Sequence, residues 1–337
     1  ASSCLRCCCT AQQHTMNMLT FLMLGGVAPF ASSTVAPDPS LRGGSQRFDR
    51  RLALHGFNDH NVTHDGLTRS YMMYIPSTVN ATKPATGLVL LFHGYSVSAE
   101  NTCDGAHAYS FAAKREADDY RFIVVCPRGT GTPDWDNGWH ASDSGCCGPW
   151  NIKSVDDVGF VSKMLDELEQ NLLQWHGVAY PTQNVFAMGF STGGLFSYRL
   201  GCELGSRLNG IAPAGAAWRY AFEYSYIEGG WPSQCQDGIS VYNTMGTDDE
   251  YTTVDIALNM WREYSSDVLS CDGSVDTLCL SGGEVTCHAH ASCGTGYKRS
   301  KFCLFDGHDH SVRAMGSRYG VWHLSHAWEF LANNKTG

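Results

Sequence analysis

The chain has 337 residues, of which 43% are hydrophobic and 36 are glycines. This length suffices for one large buried core, and the glycine content suits a fold with many tight turns between strands and helices. The 33 acidic and 23 basic residues give a net charge of −10. Since there is also no run of basic residues, the charge disfavours binding to nucleic acid and stable association with a membrane.

Residues 1–45 are predicted to precede the folded part of the chain as a signal-like segment and a flexible lead-in. Residues 16–31 hold a short apolar run followed by small side chains, a pattern typical of a signal peptide and too short to span a membrane. Residues 35–46 are rich in proline, glycine and serine. We therefore expect residues 46–337 to form a single domain.

The cysteine content indicates an oxidising compartment. The chain has 15 cysteines, more than a typical cytosolic enzyme carries, so we expect it to be secreted. Without the four cysteines of residues 1–15, an odd number remains, which leaves at least one thiol free or paired elsewhere. The sequons at Asn61, Asn80 and Asn334 are glycosylation sites if the chain is secreted in a host that uses them.

Apolar runs alternate with helix-like stretches along the rest of the chain. This alternation predicts an α/β fold with a mostly parallel central sheet and helices on both faces. The expected strands lie near residues 70–76, 87–93, 121–127, 184–190, 208–213, 239–246 and 300–305. The expected helices lie near residues 107–119, 155–175, 193–204, 253–266 and 317–333.

The apolar run at residues 87–92 predicts a central strand buried on both faces, and it ends in His93, Gly94, Tyr95 and Ser96. A loop in this place supplies a backbone donor to the oxyanion of a nucleophile at the same edge of the sheet. We expect the N–H of Tyr95 to be that donor, with Ser96 as the alternative. His93 is interpreted as a structural residue beneath the loop.

Three tryptophans, Trp135, Trp139 and Trp218, are candidates for substrate binding. The first two belong to a loop between the strand near 121–127 and the helix near 155–175, from which side chains reach the active edge of the sheet. Their rings would stack on a sugar, on an aromatic ring or on a polymer segment. The alternative is that these two tryptophans only anchor a long loop to the core, and the sequence favours neither interpretation.

Residues 189–193 read Gly-Phe-Ser-Thr-Gly between an apolar strand and a helix-like segment. This is the G-x-S-x-G nucleophile elbow in its strand–turn–helix setting. A serine hydroxyl becomes a useful nucleophile when a sharp turn lifts it toward a histidine, and the turn requires flanking positions without side chains. The sequence therefore predicts Ser191 as a nucleophile, with the N–H of Thr192 facing the oxyanion.

Candidates for the acid and the base follow two later strand-like runs, in the order that this type of site uses. The first run ends in Gly-Thr-Asp-Asp and the second in Asp-Gly-His-Asp-His. In the first we favour Asp249 over Asp248. In the second we favour His308 over His310, because His308 directly follows a glycine that lets the loop bend back. Ser191, Asp249 and His308 are therefore expected to form a triad.

Together these motifs resemble the polyhydroxybutyrate-depolymerase-type esterases, which are α/β-hydrolases grouped with feruloyl and acetylxylan esterases. The motifs are Leu-Phe-His-Gly at 91–94, Cys-Cys-Gly at 146–148, Val-Asp-Asp-Val-Gly-Phe at 155–160, Gly-Phe-Ser-Thr-Gly-Gly at 189–194, Ile-Ala-Pro-Ala-Gly at 211–215, Gly-Thr-Asp-Asp at 246–249 and Gly-His at 307–308. The resemblance runs from about residue 69 to residue 331. It implies Ser191 as nucleophile, Asp249 as acid and His308 as base.

The resemblance also implies disulfides between Cys271 and Cys293 and, nested inside, between Cys279 and Cys287. One departure concerns the residues after His308. The family often has Thr-Trp-Pro there, whereas this chain has Asp-His-Ser. The wall of the acyl pocket and the choice of substrate are therefore not carried over from the family.

The sequence predicts a secreted, monomeric serine carboxylesterase that works through an acyl-enzyme and needs no cofactor or metal. The expected substrates are feruloyl or acetyl esters of plant polysaccharide, or a polyhydroxyalkanoate-type polyester. One alternative is a catalytically inactive carbohydrate-binding protein on a hydrolase scaffold. Another is a zinc-dependent hydrolase that uses the cysteines and histidines of residues 287–293 and 308–310, although disulfides would consume those cysteines.

Overall fold

The structure is a computed structural model, and it describes residues 56–104, 109–132, 135–141, 155–217, 235, 238–280, 283–294, 298–312 and 323–332. All of these belong to one compact unit, Ala53–Gly337. The signal-like segment, the lead-in and Trp218 lie outside the described residues. The division of the chain at residue 45 stays a prediction.

Strands and helices alternate along the described chain, as the sequence predicts. The strands are β1 (Asn58–His64), β2 (Leu67–Tyr74), β3 (Leu88–Phe92), β4 (Ile123–Pro127), β5 (Thr130–Thr132), β6 (Trp135–Gly138), β7 (Val185–Phe190), β8 (Gly210–Ala214), β9 (Ser240–Gly246), β10 (Val275–Leu280), β11 (Val285–His290) and β12 (Ser300–Phe305). The helices are α1 (Ala99–Cys103), α2 (Ala113–Tyr120), α3 (Asp157–His176), α4 (Thr192–Glu203), α5 (Val254–Glu263) and α6 (His323–Ala332).

Ten strands form one sheet in the order β1-β2-β4-β3-β7-β8-β9-β12-β11-β10. The six strands from β4 to β12 pair in parallel, and the strands outside them pair antiparallel. The prediction of a mostly parallel sheet is confirmed. The apolar pattern does not predict β1 or β10, because both are largely exposed at the edges of the sheet and therefore lack an apolar run.

Helices cover both faces of the sheet. Leu88, Leu90 and Phe92 of β3 pack into a core with α3, α4 and α5, while Val89 and Leu91 pack into a second core with α1, α2 and α6. Successive side chains of a strand point to opposite faces, so a continuous apolar run is what a strand between two helical layers requires. Because the six central strands run in parallel, their carboxyl ends lie at one edge of the sheet. The candidate catalytic residues follow these strand ends.

Disulfides join several of these elements. The pairs are Cys103–Cys126, Cys202–Cys235, Cys271–Cys293 and Cys287–Cys303. The expected pairing of Cys271 with Cys293 is confirmed, whereas the pairing of Cys279 with Cys287 is wrong. The register of the sheet explains the difference, because Cys287 lies opposite Cys303 and Cys279 lies opposite Thr286.

No helix in the described part of the chain combines the length and the apolar composition that crossing a bilayer requires.

Candidate active site

Ser191 lies on a sharp turn between β7 and α4. Its backbone has φ 53° and ψ −119°, a conformation that a residue with a side chain rarely adopts. The N–H of Ser191 donates to the carbonyl of Ala214 at the end of β8, at 2.9 Å, which holds the turn against the neighbouring strand. This geometry is that of a nucleophile elbow.

The glycines around Ser191 are required by close approach of backbone to backbone. A Cβ on Gly189 would clash with the carbonyl of Gly193. A Cβ on Gly193 would clash with the carbonyls of Phe92 and His93 at the end of β3. The small residues of the motif thus let α4 begin directly against two strand ends, which brings the N-terminus of the helix to the edge of the sheet.

The structure places Asp249 beside His310. Oδ2 of Asp249 lies 2.7 Å from Nδ1 of His310, and the side chains are 1% and 10% exposed. The other carboxylate oxygen accepts the backbone N–H groups of Tyr251 and Thr252, at 3.0 and 3.2 Å. Those two bonds orient the carboxylate toward the imidazole. Asp248, in contrast, is exposed.

The expected pairing of Asp249 with His308 is wrong. His308 is 4% exposed, with Nε2 3.5 Å from the hydroxyl oxygen of Ser311. Gly307 does bend the chain, with φ 61°, but the loop then runs alongside the residues that follow β9. The carbonyl of His308 accepts the N–H of Asp248. Two more residues of chain are therefore needed before a side chain reaches Asp249.

Ser191 and His310 line the same cavity, which has a volume of about 450 Å³. Most of its walls are apolar. The lining residues are Gly94, Tyr95, Ser96, Val97, Tyr109, Phe190, Ser191, Leu195, Gly215, Ala216, Ala217, Glu250, Tyr251, Thr252 and His310. The ring of His310 contacts those of Phe190 and Tyr251, with centroid separations of 4.6 Å to each. The imidazole also packs closely against Gly215, where an added Cβ would lie 3.1 Å from Cε1 of His310.

The loop after β3 brings Tyr95 to this cavity. A Cβ on Gly94 would lie 3.4 Å from the Cβ of Ser191, so the loop passes directly over the elbow. The N–H of Ser96, which is the alternative oxyanion donor, donates to the carbonyl of Asn137 at 2.8 Å. This N–H is therefore already used in a hydrogen bond within the protein. Thr192 is the first residue of α4, where backbone N–H groups have no acceptor within the helix. Tyr95 itself lines the cavity, and the role of Tyr95 and Thr192 as oxyanion donors stays a prediction.

His93 supports the loop from below. It is fully buried, and its Nε2 accepts the backbone N–H of Gly129 at 2.9 Å while Nδ1 lies 2.8 Å from the carbonyl of Gly94. Because the backbone N–H is necessarily the donor, Nδ1 carries the proton of the neutral ring. Burial lowers the pKa of His93 to about 4. His93 is therefore neutral and structural, as the sequence indicates.

The expectation that Trp139 binds substrate is wrong. The side chain is 1% exposed, stacks on Phe196 and donates from Nε1 to the carbonyl of His93 at 3.0 Å. Trp139 thus pins its loop to the core, which was the alternative interpretation. Trp135 lies in β6, its side chain lies outside the described residues, and so does Trp218. Their substrate-binding role stays a prediction.

Sequence reasoning missed Tyr109, Glu250 and Tyr251 as lining residues. Tyr251 follows Asp249 by two positions, in the turn after β9 that we call the acid turn. An aromatic residue so close to the expected acid is the sequence feature that could have identified it. Tyr109 stacks on Phe190 at 5.3 Å, and no local pattern predicts that contact because it joins distant parts of the chain.

The cysteines of the zinc alternative are not available as thiolates. Cys287 and Cys293 both belong to disulfides. Among the described residues, His64, Asp65 and Asp156 form the one group of three potential ligands within 4.8 Å of one another. These residues do not line the cavity of Ser191.

The chain is similar to several esterases in sequence and in structure. A bifunctional acetylxylan esterase/xylanase of Neocallimastix patriciarum is 23% identical over 236 residues, which cover 70% of this chain but 29% of that protein. The acetyl xylan esterase of Aspergillus awamori matches in structure with a TM-score of 0.53 and 14% identity, covering 80% of this chain and 99% of that one. A ferulic acid esterase matches with a TM-score of 0.50 and 15% identity, covering 82% and 98%. No family model matches the chain.

Proposed function

We propose that this chain, which has the α/β-hydrolase fold and is similar to acetylxylan and ferulic acid esterases, is a serine carboxylesterase. The observation that carries the proposal is the 2.7 Å contact between Asp249 and His310, whose ring lines the same cavity as Ser191. Nucleophile, imidazole and carboxylate are the three groups that a serine hydrolase requires. The sequence order, serine before aspartate before histidine, is the one used by this fold.

In the proposed reaction Ser191 Oγ attacks the carbonyl carbon of the ester while His310 Nε2 takes the hydroxyl proton. Asp249 holds the imidazole through Nδ1, which leaves Nε2 for this transfer. The carbonyl oxygen becomes an oxyanion that accepts the N–H groups of Tyr95 and Thr192. The bond to the alcohol oxygen then breaks, and His310 returns its proton to that oxygen.

Water completes the cycle. It attacks the acyl-enzyme as His310 takes one of its protons, and a second oxyanion forms at the same donors. The bond to Ser191 Oγ then breaks, the carboxylic acid leaves, and His310 returns its proton to Oγ, which restores the hydroxyl. No step of this proposed reaction requires a metal ion or a cofactor.

The proposed substrates are acetyl or feruloyl esters of plant polysaccharide. The names of the similar esterases support this class, although the chain spans 29% of the length of the curated relative. Four described disulfides support an extracellular location, since such bonds persist in oxidising compartments. A polyhydroxyalkanoate-type polyester has no comparable support among these relatives.

Replacement of the nucleophile tests the proposal. Ser191→Ala should lower kcat on a p-nitrophenyl ester by about 10⁶-fold while leaving the folded state intact, because the elbow tolerates a smaller side chain. Phenylmethylsulfonyl fluoride should modify Ser191 of the wild-type protein, as read by peptide mass spectrometry. Full turnover by the variant, or modification of a different serine, would refute the serine mechanism. Loss of activity with a chelator and its recovery with zinc would favour the metal alternative.

A further inference from the structure

The proposed reaction determines where the alcohol part of the substrate lies. Its proton comes from Nε2 of His310, so the alcohol oxygen must come within hydrogen-bonding distance of that nitrogen. The group attached to this oxygen therefore contacts the residues that flank His310 and line the cavity. On the side of the acid turn these residues are Glu250 and Tyr251.

Tyr251 is an exposed ring held in a fixed position. Its centroid lies 4.6 Å from that of His310, yet 71% of the residue is exposed to solvent. Its backbone N–H donates to Oδ1 of Asp249, so the ring is anchored to the same turn that carries the acid. A side chain this exposed contributes little to the core. At the rim of the cavity it instead offers a flat apolar face to a ligand.

Glu250 presents carboxylate oxygens beside that face. Oε2 accepts the backbone N–H of His310 at 3.2 Å, which orients the side chain, and the residue lines the cavity while remaining exposed. A carboxylate accepts several hydrogen bonds, including those from hydroxyl groups. The acid turn thus combines an apolar ring face with strong hydrogen-bond acceptors, within two consecutive residues.

This combination discriminates among alcohols. An alkyl alcohol packed here would strip water from the Glu250 carboxylate without replacing its hydrogen bonds, which is costly. A phosphorylated alcohol would be repelled by the same carboxylate and by the net charge of −10. A sugar ring has an apolar face of C–H groups and an edge of hydroxyl donors, so it suits both residues at once.

We propose that Tyr251 and Glu250 form a subsite for the sugar ring that carries the scissile ester. Tyr251 stacks on the face of the sugar, and Glu250 accepts hydrogen bonds from its hydroxyls. Apolar lining residues such as Val97, Leu195 and Ala217 remain for the acyl group. This inference rests on the proposed function for the role of His310 and extends it by naming the residues that select the alcohol.

Pairs of substrates with the same acyl group test the subsite by kinetics. The pairs are ethyl acetate with an acetylated xylo-oligosaccharide, and methyl ferulate with a feruloylated arabino-oligosaccharide. Tyr251→Ala should lower kcat/KM for the sugar ester about tenfold more than for the simple ester, mainly through KM, as expected for the loss of one stacked ring. Tyr251→Phe should restore the wild-type ratio because it keeps the ring. An equal loss on both members of a pair would overturn the proposal.

The control variant is Trp175→Ala. Trp175 is also an exposed aromatic residue, but it contacts His60 of β1 and does not line the cavity. Its replacement should leave the ratio of the two kcat/KM values unchanged. A tenfold change in that ratio for Trp175→Ala would show that the sugar ester binds elsewhere and would overturn the proposal as well.

Calorimetric binding separates failure of the subsite from failure of the proposed function. Ser191→Ala protein should bind unesterified xylo-oligosaccharide, and the added change Tyr251→Ala or Glu250→Ala should weaken binding about tenfold. If wild-type protein hydrolyses no ester but these binding results hold, the esterase proposal fails and the sugar subsite stands. If Ser191→Ala protein does not bind the oligosaccharide, or Tyr251→Ala has no effect, the subsite is refuted whatever the esterase activity.

Discussion

Ser191 combines backbone strain with a place in the wall of the cavity that His310 also lines. A residue with a side chain at φ 53° and ψ −119° carries a cost of about 1–3 kcal/mol. The hydrogen bond to Ala214 and the close packing of Gly193 on the end of β3 hold the turn in place. The cost is thus offset by packing elsewhere, and it places the side chain in the cavity that holds His310.

The two histidines of the loop after β12 should respond differently to replacement. His310→Gln removes the imidazole that contacts Asp249, so kcat should fall by about 10⁵-fold or more. His308→Gln should retain turnover and instead lower Tm, because it disturbs a buried ring. Steady-state kinetics and thermal unfolding of both variants check this prediction. An inactive His308→Gln together with an active His310→Gln would return the base to His308.

Replacement of the two neighbouring aspartates distinguishes orientation of the imidazole from surface charge. Asp249→Asn should lower kcat on the order of 10⁴-fold, because the amide favours the wrong tautomer of His310. Asp248→Asn should have a small effect, since Asp248 is exposed and its contact with the loop is a backbone bond to His308. Both kcat values are measured on the same p-nitrophenyl ester. The reverse ranking would assign the acid to Asp248.

The loop after β3 depends on elements that are remote from it in sequence. Asn137 of β6 accepts the N–H of Ser96 and donates from its amide to the carbonyl of Val97. Trp139 donates to the carbonyl of His93, and Gly129 donates to the ring of His93. The segment around β5 and β6 therefore acts as a brace for the loop after β3, which carries the proposed oxyanion donor Tyr95. Its bonds fix the loop before substrate arrives, and such pre-organisation is what makes an oxyanion site effective.

Because His93 is part of this brace, its protonation should make the free energy of unfolding of the protein depend on pH. The native pKa is lowered to about 4 by burial, whereas the unfolded value is about 6.5. Below pH 6.5 the unfolded state therefore binds a proton that the native state excludes. The contribution of His93 to stability is present above pH 6.5 and is lost as the pH falls toward 4.

The expected dependence of the free energy of unfolding on pH is large enough to measure. Between pH 6 and pH 4.5 the free energy of unfolding of wild-type protein should fall by about 1.4 kcal/mol per pH unit more steeply than that of His93→Asn. Urea unfolding at each pH gives both curves. His323, whose pKa burial also lowers to about 4, provides a second variant, His323→Asn, with the same expected difference. Parallel curves for wild type and both variants would contradict the prediction.

At the scale of the whole molecule, the parallel centre of the sheet is extended by antiparallel strands on both sides. On one side β11 is attached to β12 by the Cys287–Cys303 disulfide as well as by its ladder of hydrogen bonds. The neighbouring bond Cys271–Cys293 closes the segment that contains β10 and β11. These covalent links secure exposed strands that bury few apolar side chains, and β12 leads directly into the loop of His310.

Removal of one of these disulfides should destabilise the protein without changing the chemistry of the site. The Cys287–Cys303 bond spans 16 residues, for which loop closure contributes about 3 kcal/mol. The double variant Cys287→Ala/Cys303→Ala should therefore lose about that much free energy of unfolding. Chemical denaturation measures the loss, and mass spectrometry of unreduced peptides identifies the bond. A peptide linking Cys279 to Cys287 would contradict the pairing.

The sequence by itself determined the α/β architecture, the position of the elbow and the structural role of His93. Each of these depends on local causes: apolar runs in strands buried on two faces, and a turn that only glycine-flanked backbone can make. Tertiary structure decided between His308 and His310, buried Trp139 in the core and brought Tyr251 to the cavity. Those outcomes depend on how a loop runs against a distant strand end. The alignment of the residues after β9 with the loop after β12 determines which side chain contacts Asp249. No local sequence pattern predicts that alignment.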